Sequence, residues 1–368
     1  MVAIAISFFV IIIAVAISSG FRRELRRGVA MMSGDVSLTA ADLNYAGEDN
    51  PIDGFASLDS LIRRVRGVDD VIPAVYRAGI VRNGTEICGV LFKGTPSGGD
   101  SLRVSIPSGL ASKLGLAEGD AMTAYYIGER VKARRFTVSS IYDDVLGLNG
   151  THVVMAGLED MQRLNSWSED QVSAIEVLLD DAWTDNAGME AKADEIGFMV
   201  LSSAADEYSA PVALSAVRRY PQVFSWLDLI DRNVLVILIL MTIVAGFNMI
   251  SGLLILLFRN IPTIGTLKAL GMTDRAIAEV FIRVSSNLVL KGMLIGNSLA
   301  LLFCLVQGVT HVITLNPENY FVSFVPVHVN PVLVLGADLI AYLMIMLLLL
   351  IPSLFVSRVD PAETVRAK

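Results

Sequence analysis

Residues able to do acid–base or nucleophilic chemistry are few and scattered in this chain. His152, His311 and His328 are its three histidines, and their separations suit no metal centre. No HExxH pair, GxSxG nucleophile elbow or paired-cysteine motif occurs. The dipeptide Gly-Lys, which a phosphate-cradling loop requires, is absent from the sequence. We therefore expect no catalytic, metal-binding or cofactor-binding residue, and any ATP must be bound by another polypeptide. Two ionisable residues stand inside apolar runs instead. Lys291 lies near the end of its run, where a long stem can snorkel to the surface. Asp338 has a short side chain about two turns inside its run, and an ionised group deep in a bilayer costs about 2.5–3.5 kcal/mol. Asp338 is thus a possible intramembrane functional residue, with a helix neighbour or a shallow entry as the plainer alternatives. The two enter from opposite faces, so no direct pair is expected.

The elements that carry these residues are four apolar runs, at 2–17, 234–258, 292–309 with its approach from 284, and 332–356. The second holds no charge over 25 positions, about 37 Å of helix, enough to cross a hydrocarbon core of about 30 Å. After Arg259 a short helix is expected over 262–270, with Pro262 in its first turn and Gly271 ending it. Ile264, Leu267 and Leu270 form its apolar stripe, with Thr266 and Lys268 on other faces, so one side can pack while another meets a partner. Its plainer reading is a loop helix resting on lipid. In the third run Gly292 and Gly296 make a small-xxx-small pattern that permits close helix approach.

The phrases FNMISGLLIL, IGTLKALGMTDRAI and VFIRVSSNLVLKGMLIG, in that order, resemble the permease subunits of the MacB/FtsX-like class of ATP-binding-cassette transporters, most closely the lipoprotein-releasing LolC/LolE type. The resemblance implies that Pro262, Ile264, Gly265, Leu267, Lys268, Leu270 and Gly271 belong to a coupling helix docking on a cytoplasmic ABC ATPase subunit. Many members carry an acidic residue before the Ile-Gly pair, and this chain has Thr263 there. The implied partners are that ATPase, a second permease copy or paralogue, a periplasmic carrier and the lipid bilayer. The implied fold is an α-helical membrane protein with four transmembrane helices plus a large α+β extracytoplasmic domain, a MacB-like periplasmic core with an inserted mostly-β subdomain. The implied location is the inner membrane, multi-pass, with the large domain in the periplasm.

Composition agrees with a membrane protein bearing a soluble insert: 368 residues, 54% hydrophobic, mean hydropathy +0.59. The loop 259–283 carries four basic residues and 308–330 carries no Lys or Arg, which puts the first inside and the second outside. The expected layout is span 1–20, external domain 21–227 with the inserted subdomain about 101–180, span 228–258, cytoplasmic loop 259–283, span 284–309, external loop 310–331, span 332–357 and cytoplasmic tail 358–368. Arg22, Arg23, Arg26 and Arg27 then lie outside, against the positive-inside tendency, which long translocated domains do not obey. The first run has no basic leader before it and no convincing small-x-small cleavage site after the Gly20-Phe21-Arg22 exit, so it reads as an uncleaved span. The family usually has a basic segment before it, so the start is expected to be missing or miscalled. Residues 21–231 hold 20 basic and 31 acidic groups, which argues against a nucleic-acid surface. Cys88 alone lies in that segment, so no internal disulfide supports it.

Within the external domain we expect a strand at 35–40, a helix capped by Ser57 and ended by Gly67, and a hairpin turning at Asn83-Gly84. Strands and short helices follow from Arg103, including a helix at 107–114, a tight hairpin over 125–136 around Gly128-Glu129, a strand THVVMAG, a helix at 158–164 and a strand VSAIEVLLD. SGLASKLGLAEGD and FTVSSIYD resemble the family's inserted subdomain. A helix at 183–196 then leads to a strand FMVLSS, and 208–229 reads as a long helix broken near Pro221. Asn149 begins a second turn-like Asn-Gly-Thr triplet. In the loop after the third span, Tyr320, Phe321 and Phe324 between Pro317 and Pro326 suit an interface belt. The function expected is coupling of a partner's ATP hydrolysis to motion of the external domain, most naturally for lipoprotein release. The alternatives are MacB-type efflux and an FtsX-like, non-transporting control of a cell-wall hydrolase. LolC-type members carry an extended hook in the inserted hairpin, so a short hairpin here suggests a LolE-like partner or a homodimeric relative.

Overall fold

The chain begins in a 32-residue helix, α1 (Val2–Ser33). A computed structural model describes residues 1–42, 44, 46–128, 131–142, 152–204, 210–316, 320 and 322–353. Two compact units form: Met1–Arg23, Trp226–Leu315 and the chain from Phe324 make one, and Glu24–Ser225 with Asn316–Ser323 make the other. The expected features at Glu129, Asn149, Tyr208, Pro317, Phe321 and 358–368 lie outside the described residues.

In the second unit α1 ends at Gly34, whose φ of 70° few other residues would tolerate. β1 (Val36–Thr39) follows, then α2 (Phe55–Ile62), β2 (Val68–Asn83), β3 (Glu86–Thr95), β4 (Arg103–Pro107), α3 (Ser108–Leu114), β5 (Ala121–Tyr126), β6 (Lys132–Tyr142), β7 (His152–Gly157), α4 (Leu158–Asn165), β8 (Ala174–Leu179), α5 (Asn186–Ser203), β9 (Val212–Ser215) and α6 (Ala216–Arg219). The 16-residue β2 belongs to two sheets. Its first half, from Val68 to Ala74, pairs with β8, which pairs with β1, which pairs with β9, all antiparallel. Its second half pairs with β3 and β5, and the ring β2–β3–β7–β4–β6–β5 returns to β2. Closure of that ring removes exposed strand edges. Its interior is filled by Phe92, Tyr126 and Phe136, with Val104, Ile106 and Met122 around them.

Four expectations change here. The mostly-β part starts near Val75 rather than Ser101, and β8 pairs with the other sheet. The cap of α2 is not Ser57: the helix starts at Phe55, and the Ala56 N–H donates to the Asp170 carboxylate at 2.9 Å. FMVLSS is not a strand. Asp185 caps α5, and its buried residues Met189, Ala193, Ile196 and Val200 keep a helical spacing through that segment, so the apolar run at its end extends the stripe. Likewise 212–215 is a strand, paired along β1, and Pro221 begins a helix instead of breaking one.

The helical unit holds the first part of α1 with α7 (Pro221–Arg259), α8 (Ile261–Ala269), α9 (Asp274–Thr310) and α10 (Pro331–Ser353). α1, α7, α9 and α10 are each long and apolar enough to cross a membrane. Their common core includes Phe8, Ile12, Met249, Leu253, Phe281, Val289 and Ile345. α1 and α7 each pass from one unit into the other without a break in the helix.

Candidate functional site

The short helix α8 is held by its own backbone chemistry. The Ile264 N–H donates to the Asn260 carbonyl at 2.9 Å to start it. At its end the Gly271 N–H donates to Lys268 O and the Met272 N–H to Leu267 O, both at 3.0 Å. This double bond pattern needs a left-handed residue after the helix, and Gly271, with φ 91°, supplies it. Two residues later the Thr273 hydroxyl accepts from the Ala276 N–H at 3.3 Å and opens α9. Lys268 then bridges the turn, its Nζ 2.8 Å from Asp274 Oδ1.

The faces of α8 differ from the sequence pattern. Ile264 and Gly265 are buried, and Lys268 lies one turn on from Ile264 on the same inward face, its side chain only 10% exposed. Leu270, expected on the packed stripe, is 79% exposed. The reason is local: Leu270 is the residue after the last helical turn, so its side chain leaves the helical stripe, while Lys268 is drawn in by Asp274. Leu267 is half-buried beside a cavity of about 280 Å³ lined also by Leu256, Met272, Ile277 and Phe281. The outward surface is therefore Pro262, Thr263, Thr266, Ala269 and Leu270.

Gly292 and Gly296 sit where α9 meets α1. A methyl group on Gly292 would come within 2.8 Å of Ile4 Cγ2, and one on Gly296 would overlap the Ala5 carbonyl oxygen. Asp338 faces a helix neighbour: its Oδ2 is 2.5 Å from Asn297 Nδ2 of α9. Ser286 and Tyr342 join the same two helices at 2.7 Å. The Asp338 carboxyl is 6% exposed and its Oδ1 has no hydrogen-bond partner. Tyr320 is 44% exposed, and Phe324 packs its ring 4.1 Å from that of His311.

One polar cluster escaped the sequence reading. Lys93 of β3 and Glu176 of β8 are buried side by side, Nζ to Oε2 2.7 Å, in the domain built on the sheet. Tyr76 of β2 sets its hydroxyl 2.5 Å from Glu176 Oε1. The same Lys93 reaches the last turn of α1, donating to Met31 O at 2.7 Å and Met32 O at 3.1 Å. Burial pushes the Glu176 carboxyl up, against the pull of Lys93; burial pushes the Lys93 ammonium down, and holds the Tyr76 phenol well above its usual range. The signal in the sequence was a single charge inside each of two apolar strands, VLFKGT and AIEVLL. Both cysteines are free and buried. Among the described residues no three His, Cys, Asp or Glu side chains gather as a metal site.

Residues 235–361 match the family model described as FtsX-like permease C-terminal. Over 402 aligned residues, covering 99% of this chain and 92% of the relative, the sequence is 25% identical to the lipoprotein-releasing system transmembrane protein LolC of Xylella fastidiosa, strain Temecula1. It is 21% identical to the corresponding LolE protein of Haemophilus influenzae, with 98% and 92% coverage. Among solved structures it is similar to the extracellular domain of the noncanonic ABC-type transporter YknZ from Gram-positive bacteria (TM-score 0.33, 12% identity, 49% of this chain and 99% of that one). It is also similar to the periplasmic region of MacB from Actinobacillus actinomycetemcomitans (TM-score 0.35, 8% identity, 53% and 95%).

Proposed function

The chain carries an FtsX-like permease C-terminal domain at residues 235–361 and is a permease of the ABC-transporter class, and from that premise we propose that it releases lipoproteins from the inner membrane. The observation that carries this reading is colinearity over 99% of the chain with a lipoprotein-releasing transmembrane protein. Energy comes from a separate cytoplasmic ATPase, which docks on the outward face of α8 at Pro262, Thr263, Thr266 and Leu270. The sharp ends of α8 suit that task. A helix fixed by the Gly271 turn, the Thr273 cap and the Lys268–Asp274 pair moves with α9 as one piece when it is pushed.

α7 supplies the transmission. It is one helix of 39 residues, about 58 Å long, with no break between Pro221 and Arg259. Motion at its cytoplasmic end is carried to the domain built on the sheet, which lies in the periplasm and handles the cargo. The chain works beside a second permease, a copy or a paralogue, and passes cargo to a periplasmic carrier. β5 and β6 are joined by only five residues, 127–131, which favours the LolE-like or homodimeric version of that arrangement. Gly292 and Gly296 hold α9 against α1, and Asp338 with Asn297 pairs α9 with α10.

Affinity purification of the solubilised chain tests the permease role. An ATPase is expected to co-purify, and to be lost on Thr266→Lys with Leu270→Lys. Depletion of the chain tests the cargo. Lipoproteins are expected to accumulate in the inner membrane; normal arrival at the outer membrane would refute lipoprotein release while leaving ATPase docking intact.

A further inference from the structure

The end of α1 poses a problem of hydrogen-bond accounting. A helix leaves its last carbonyls without intrahelical donors, and those of Met31 and Met32 are met by side chains of the sheet domain, Lys93 and Tyr76. Lys93 satisfies them in part. Its ammonium has three protons and three acceptors in reach: Met31 O, Met32 O and Glu176 Oε2, at 2.7, 3.1 and 2.7 Å. Every proton is used. The Tyr76 hydroxyl is different. It lies 2.5 Å from Met32 O and 2.5 Å from Glu176 Oε1, and a phenol has one proton to give.

A carbonyl oxygen only accepts, and so does an ionised carboxylate. With Glu176 ionised, one of those two O···O contacts would hold no proton and would set two lone pairs against each other. With Glu176 neutral both contacts are filled: the carboxyl O–H donates to the Tyr76 oxygen and the Tyr76 O–H donates to Met32 O. The Tyr76–Met32 contact has the length of an O–H···O bond, and the Tyr76–Glu176 contact is shorter still. We propose that the last turn of α1 is fastened to the sheet by a proton-dependent clasp in which neutral Glu176 positions Tyr76, and Tyr76 and Lys93 together cap the Met31 and Met32 carbonyls.

The surroundings agree with a neutral carboxyl. Burial raises the affinity of Glu176 for its proton. The charged and titratable groups facing it are Lys93 from β3, Tyr76 from β2 and Arg219 from α6, which donates to Ser37 Oγ at 2.7 Å, with Tyr220 beyond. Ser37 is directly opposite Glu176 across β1 and β8. With Glu176 neutral the clasp carries the positive charge of Lys93 at the C-terminal end of a helix, where a cation is favoured. Glu176 and Lys93 also line a cleft of about 410 Å³ between Met31, Thr95 and Met155, which gives protons from solvent a route to them. The inference stands apart from the transport reading, since it concerns only how α1 is held.

Hydrogen exchange of the full chain in lipid nanodiscs, followed for the segment 31–36 from about pH 5 to about pH 9, tests it. The comparison is with Glu176→Gln, whose amide can donate to Tyr76 and accept from Lys93 at every pH. Raising the pH by one unit past the Glu176 transition should cost the wild type about tenfold in protection relative to Glu176→Gln at the same pH. Equal profiles for the two proteins overturn the proposal, as does a Glu176→Gln chain unprotected at every pH. If that variant does not accumulate, Tyr76→Phe carries the same test. Removal of the phenol removes the contact that demands the second proton, so its pH dependence should shrink several-fold, and an unchanged wild-type profile would overturn the clasp.

Discussion

α8 and α1 both end at a glycine in the left-handed region, Gly271 at 91° and Gly34 at 70°, yet their last carbonyls are satisfied in opposite ways. At α8 the donors are the backbone N–H groups of Gly271 and Met272, next in sequence and close to solvent. At α1 the Gly34 N–H reaches Ala30 O, but Met31 and Met32 depend on side chains 44 to 62 residues away in the chain. The helix proposed to dock a partner is finished locally, by its own backbone. A helix that must hold a folded domain is finished by that domain.

Removing one donor from each end should separate them most widely. Lys93→Met leaves the buried Glu176 carboxyl and the Met31 carbonyl without their donor and is expected to destabilise the sheet domain by about 1–3 kcal/mol. Lys268→Met breaks a pair whose carboxylate is half exposed and should cost less than about 1 kcal/mol. Denaturant melts of the two purified variants give both figures; equal losses would erase the distinction.

The pH dependence comes next. Glu176 holds its proton more tightly folded than unfolded, so its share of stability is complete below the ordinary glutamate range and is lost as pH rises through the folded value. Lys93 is shifted down, so at still higher pH its own titration acts in the opposite sense. Thermal melts should therefore fall from mildly acidic toward neutral or alkaline pH in the wild type and stay level over that range in Glu176→Gln. The α8 end contains no comparable group and should respond to neither.

Glycine replacement sharpens the contrast on a smaller scale. Gly271→Ala adds a methyl group into open space and should cost only the left-handed backbone, about 1–2 kcal/mol. Gly34→Ala bears the same backbone cost and also brings its methyl to 3.0 Å from the Val177 main chain, so its loss should be the larger. Melting curves of the two single variants rank them.

The same contrast marks what the sequence made legible. Features fixed by near neighbours could be read: the uncharged run at 234–258, the turn at Asn83-Gly84, the stop at Gly271. Features fixed across the fold could not. β9 has four residues and exists because β1 lies beside it; by pattern alone 212–215 passed for helix. FMVLSS has a strand's composition, but Val200 belongs to a helical stripe begun by Met189. Lys93 and Glu176 are 83 residues apart, and nothing near either one names the other. At α8 the misjudged residues were Lys268 and Leu270, because an ion pair and a helix end outweighed the apolar period.

The smallest expected change in stability carries the most information about α8. Leu270 is 79% exposed, so Leu270→Lys should alter the melt by no more than about 0.5 kcal/mol, and a cation at the end of a helix is electrostatically welcome. Leu267 lies three residues back and lines the cavity with Met272 and Phe281, so Leu267→Lys would bury a charge and confuse unfolding with lost docking. Leu270→Lys avoids that confusion. If the outward face of α8 grips an ATPase, this variant should fold as the wild type does and still lose stimulation of the partner's ATP hydrolysis, measured on the reconstituted pair. Full stimulation in Leu270→Lys, with Lys93→Met as the damaged protein instead, would move the coupling role away from α8.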